Sequence, residues 1–156
     1  MGFLTIIDTF PVFLQFWSRW HREEITHQVD GWQKDYLSQW PELLKMQINC
    51  YSEEALGWQE IARERVFPEL EKRFPAMSTA HQYLAQECES VYLGAQSRLG
   101  IQFDLACILY VGIGCGAGWA TTYQGIPAIL FGLEMIAECG WESPESLSGL
   151  LAHELG

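Results

Sequence analysis

The sequence predicts an α+β protein, with a helical region over residues 1–100 and a small twisted sheet plus a C-terminal helix over residues 101–156. Three observations predict it. Apolar residues recur at three- and four-residue spacing through most of the first hundred positions. From residue 101 they gather into short β-branched and aromatic runs broken by glycine. The charge pattern changes at the same place: all nine Lys and Arg lie between Arg19 and Arg98, whereas residues 99–156 hold six acids and no Lys or Arg. The two regions are expected to pack together as one unit.

Composition narrows the function classes. At 156 residues the chain can bury a substantial core, and 49 % hydrophobic content with seven Trp and eight Phe argues against disorder. A net charge of −11 argues against nucleic acid, whose phosphates demand a basic surface. Cys50, Cys88, Cys107, Cys115 and Cys139 are odd in number and form no Cys-x-x-Cys, so reduced thiols in a cytoplasmic protein are expected. Residues 3–17 are apolar, but they lack a basic flank and contain Asp8 and Pro11, unlike a signal peptide. Met1-Gly2 opens a myristoylation pattern that fails at Ile6, where Ser or Thr is needed.

The helical region can be taken in order. Asp8 or Thr9 can cap a first helix, with Pro11 in its first turn and Val12, Phe13, Phe16, Trp17 and Trp20 on one face. Val29, Trp32, Tyr36 and Leu37 mark a second, with a break expected at Asp30-Gly31 and an end at Trp40-Pro41. Residues 43–50 form a short third. Ser52 is expected to cap a fourth, with Glu53 and Glu54 in its first turn and Leu56, Ile61 and Val66 inward. Pro68 and Pro75 should interrupt the pattern, and Ser78 or Thr79 should start a last helix ending at Gly100.

This region offers little chemistry. Glu24 and His27 have the Glu-x-x-His spacing of di-iron helices, but such sites need two such motifs and further glutamates. His21 and His27, six apart, share no helix face, and His81 is expected at the surface near a helix start. Trp17, Trp20, Trp32, Trp40 and Trp58 are better explained as packing residues than as a ligand cage.

Strands are expected at 101–111, 119–123 and 126–131, with a turn at Gln124-Gly125; residues 132–139 could extend a strand or form a helical turn. Gly112, Gly114 and Ala117 approximate a dinucleotide loop, but the residues after them are strand-like where that loop must open a helix. Residues 105–133 carry no charge and are long enough to cross a membrane. Six glycines, Pro127 and a Thr-Thr-Tyr-Gln run argue against a span, as does the lack of flanking Lys or Arg.

The last helix is the best specified. Ser143 can cap it, Pro144 suits its first position, Glu145 faces the positive end of its dipole, and Leu147, Leu150, Leu151 and Leu155 share one face. Near its end stands Ala152-His153-Glu154-Leu155-Gly156. An amphipathic helix closed by a glycine cap can carry a His-Glu pair with no function attached.

That pentapeptide also resembles the first five residues of the HExxH zinc-peptidase helix, in its form Ala-His-Glu-Leu-Gly-His. The order of elements before it is similar to zincins of the gluzincin type that have a helical N-terminal region. The resemblance covers the last third of the chain. It implies that His153 is a zinc ligand, that Glu154 is the general base acting on zinc-bound water, and that a peptide or protein is the substrate. It also implies that an edge strand of the sheet pairs with extended substrate. The second histidine would follow Gly156, and a gluzincin's third ligand, a glutamate, would lie further on. The chain is therefore expected to be the N-terminal part of such an enzyme, truncated inside the motif, inactive and without zinc by itself. Glu134 and Glu138, four apart, could both face His153 if their segment is helical, with Cys139 adding a thiolate; solvated acids are the plainer expectation. The alternative is a non-catalytic acidic interaction or scaffolding domain, ending naturally at Gly156 and open to self-association as a homo-oligomer.

Overall fold

Four strands form one mixed sheet in the order β1-β2-β4-β3 in a computed structural model that describes residues 2–156. The strands are β1 (Leu4–Asp8), β2 (Leu105–Tyr110), β3 (Gly118–Tyr123) and β4 (Ile126–Gly132). β1, β2 and β4 run parallel, with Ile108 of β2 level with Ile7 and Leu130, and β3 lies antiparallel to β4 at the edge. Every residue of β2 is buried, which is why its sequence LACILY is a continuous apolar run rather than an alternation. The stretch 105–133 thus supplies three strands of the sheet and the segments between them, and among the described residues no helix is long and apolar enough to cross a membrane. Gln124 and Gly125, with φ of 49° and 81°, make the tight turn that joins β3 to β4.

The fold is α+β, as the sequence predicts. β1 is the element that periodicity does not reveal. It is five residues long, and its partner β2 lies a hundred residues on. The helices α1 (Phe10–Trp20), α2 (Ile25–Gly31), α3 (Pro41–Asn49), α4 (Trp58–Ile61) and α5 (Phe67–Leu99) fill the crossover between β1 and β2. Asp8 Oδ1 accepts from the Phe10 amide at 3.0 Å at the start of α1. α1 then buries Phe13, Phe16 and Trp17.

Three expectations in this region need correction. No break occurs at Asp30-Gly31, because α2 runs on into a wider π-type turn, Trp32–Tyr36. A Cβ at Gly31 would lie 3.0 Å from Phe16 Cε1, so this glycine serves helix packing rather than a turn. Residues 52–57 form turns and bends, and the helix expected from Ser52 begins only at Trp58. α5 passes straight through Pro75; the proline is exposed, so its ring meets solvent. Pro68 sits in its first turn, where a proline costs no helical hydrogen bond, directly after a second π-type turn, Ala62–Val66. α5 ends at Gly100, whose φ of 66° gives the left-handed cap that the sequence suggests.

Trp32 and Tyr36, both fully buried, tie the helices to the sheet. Trp32 Nε1 donates to Val111 O at 2.9 Å, and Tyr36 Oη accepts from Val111 N at 3.0 Å while sharing a hydrogen bond with Thr9 Oγ1. These contacts gather at the C-terminal ends of β1 and β2. Trp17 is buried as well, and Trp20, Trp40 and Trp58 pack against the core.

Candidate functional site

Two groups of chemistry-bearing residues flank the segment between β2 and β3. The first is on α7 (Pro144–Leu155), whose start has the expected cap: Ser143 Oγ accepts from Ser146 N at 3.2 Å. Leu147 and Leu151 are buried, and Leu150 is half-buried against the sheet. That face fixes the helix rotation, leaving His153 exposed and Glu154 half-buried. A Cβ on Gly118, the first residue of β3, would lie 3.0 Å from Leu150 Cδ1 and 3.5 Å from Glu154 Cγ. Glycine there lets α7 lie close against the antiparallel edge strand. His153 lines a shallow cavity of about 280 Å³ with Trp141, Ser146 and Leu150.

The second group centres on Glu134, in the first turn of α6 (Leu133–Cys139), which settles the ambiguous segment as a helix. Its side chain is 1 % exposed. Oε1 accepts from Gly112 N at 2.8 Å, and Oε2 accepts from Gly114 N at 2.9 Å. Burial pushes its carboxyl up to about 7, against the pull of the Gly112 and Gly114 amides. Around it Tyr110 Oη accepts from Gln47 Nε2 at 3.0 Å and Trp119 Nε1 at 3.2 Å. Burial raises the Tyr110 phenol well above its ordinary value, so it stays neutral. Gln47 Oε1 is buried and without a donor, and it lies 2.6 Å from the Cβ position of Gly112.

The same loop has two further anchors. Tyr51 Oη donates to Ile113 O at 2.7 Å, and Cys115 is disulfide-bonded to Cys50 at the end of α3. The expectation of five reduced thiols is corrected for this pair; Cys88, Cys107 and Cys139 are free. The loop leads into β3 and not into a helix, so the dinucleotide arrangement does not form.

No family model, curated protein or solved structure matches the chain.

Site chemistry therefore rests on the residues themselves. Glu134 does not serve His153: its carboxylate is turned into the glycine loop. Nor is it a solvated acid. Glu138 is exposed and lies 3.7 Å from Arg73, and Cys139 is exposed. Among the described residues, no group of three or more His, Cys, Asp or Glu is placed to hold a metal ion. The residues present do not by themselves make a zinc site. Elsewhere, Glu24 and His27 are exposed, and His21 Nδ1 hydrogen-bonds Trp17 O. His81 is half-buried rather than exposed, 2.8 Å from Asp8 Oδ2 and stacked on Phe10. Glu134 could have been suspected from the sequence, as the first acid after the charge-free stretch, at the end of a buried strand.

Proposed function

We propose that this chain is the front part of a zinc-dependent metallopeptidase acting on a peptide or protein substrate. In it His153 serves as the first zinc ligand and Glu154 as the general base. The observation that carries this reading is the seating of α7 on β3. The helix that bears His153-Glu154 lies against an antiparallel strand at the edge of a mixed sheet, close enough that Gly118 abuts Leu150 and Glu154. An extended chain added to that edge would run beside Glu154. His153 is exposed, so its imidazole is accessible to a metal ion. One histidine holds zinc too weakly for use, so residues 1–156 by themselves are inactive and the remaining ligands come from chain beyond Gly156.

Peptide hydrolysis tests this. The protein expressed from its natural gene should cleave a mixed peptide library, lose that activity to a chelator, and lose it on Glu154→Gln. Chelator-sensitive cleavage by a pure 156-residue species would contradict the assignment of missing ligands. No cleavage by the gene's full product would favour the alternative, an acidic interaction domain. A cytoplasmic location accords with three free thiols, while the Cys50–Cys115 disulfide points to an oxidising compartment.

A further inference from the structure

β1 is the other edge of the sheet, and its free side is self-complementary. Leu105 N donates to Phe3 O at 2.9 Å and Thr9 N donates to Leu109 O at 3.0 Å. In a parallel ladder this directs the backbone groups of Thr5 and Ile7 to β2 and turns those of Leu4, Ile6 and Asp8 away from it. Among the described residues β1 pairs with β2 alone, and no side chain bonds the backbone of Leu4, Ile6 or Asp8. Between Leu4 and Asp8 the strand has no Lys, no Pro and no bulge, and its one charge, Asp8, stands at its end. Leu4 and Ile7 pack against the core, whereas Ile6 is 36 % exposed and the adjacent Phe3 70 % exposed.

We propose that β1 pairs antiparallel with β1 of a second copy, about a two-fold axis through Ile6, making one continuous eight-stranded sheet. That register sets Ile6 opposite Ile6 and Leu4 opposite Asp8. Every outward N–H then meets an outward C=O, giving two hydrogen bonds at each of the three facing pairs. The strand's one charge, Asp8, is held by His81 and falls opposite Leu4, so no like charges meet. The contact is isologous and closes at two copies. It involves neither α7 nor β3, so it stands or falls separately from the peptidase assignment.

Sedimentation velocity and hydrogen exchange on the whole protein test it. Twice the chain mass is expected, with the Leu4, Ile6 and Asp8 amides slowed on association while Thr5 and Ile7 exchange alike in both states. Ile6→Pro removes an outward N–H and leaves the β2 ladder whole, and Ile6→Lys sets two cations face to face. Each should weaken the dimer by at least about tenfold, equal to 1.4 kcal/mol, with circular dichroism unchanged. Should Ile6→Pro unfold, Ile6→Lys and the exchange pattern still decide. A single-chain mass at every concentration would overturn the proposal. So would a dimer that both variants leave intact, or one whose Leu4, Ile6 and Asp8 amides remain unprotected.

Discussion

Glu134 shows how one side chain can hold a loop at the cost of an awkward ionisation. Its carboxylate satisfies two amides of a glycine segment that makes no sheet or helix of its own, yet it is withdrawn from water to do so. The sign of the pH effect follows. Burial raises the folded-state value from 4.5 to about 7, so the native protein keeps a proton that the unfolded chain has released. That contribution is complete below pH 4.5 and is lost as pH rises through about 7. Thermal unfolding should therefore show stability falling by roughly 3 kcal/mol between pH 4.5 and 8, apart from other groups. In Glu134→Gln this slope should vanish. Its amide can accept at only one end, leaving the Gly112 or Gly114 N–H unpaired at a cost of about 1–3 kcal/mol. A wild-type slope that persists in the variant would rule out Glu134 as its source.

At the scale of elements, capping and proline chemistry give separate predictions. Ser143→Ala should cost about 1 kcal/mol by freeing the Ser146 amide, measured by denaturant unfolding. Pro75→Ala should stabilise by about 1–3 kcal/mol, because it restores an N–H inside α5 at an exposed position where no packing is lost. A destabilised Pro75→Ala would mean that the ring makes a contact the helix needs. The two sites also show where sequence was a good guide. α7, β3 and β4 were legible because cap, glycine and β-branched runs act locally, within a few residues. α5 was not, because Pro75 forbids a helix only where the surroundings do not compensate, and here the helix continues on both sides of it. β1 was hidden for another reason: its five residues become a strand by pairing with β2, and that partner is remote in sequence. The sequence offered Glu134 only as an acid that could face His153 or stand in solvent, because its burial depends on Gly112 and Gly114 turning their amides toward it.

For the molecule as a whole, the loop between β2 and β3 joins the helical layer to the edge of the sheet. Glu134 holds it from α6, Tyr51 and Cys50 hold it from the helical layer, and it delivers the chain to β3, against which α7 rests. Breaking the Cys50–Cys115 disulfide by Cys50→Ser should lower stability by about 2–4 kcal/mol and speed amide exchange in residues 112–118 more than in β2. Equal exchange in wild type and variant would show that Glu134 suffices to hold the loop. We propose that α7 carries half of a zinc motif. The most direct test is the intact mass and zinc content of the protein made from its natural gene, together with His153→Ala. A mass above 17.8 kDa with about one zinc per chain, lost in the variant, is the predicted result. A mass equal to 156 residues with no zinc would contradict it, leaving His153 and Glu154 as ordinary residues of a helix end.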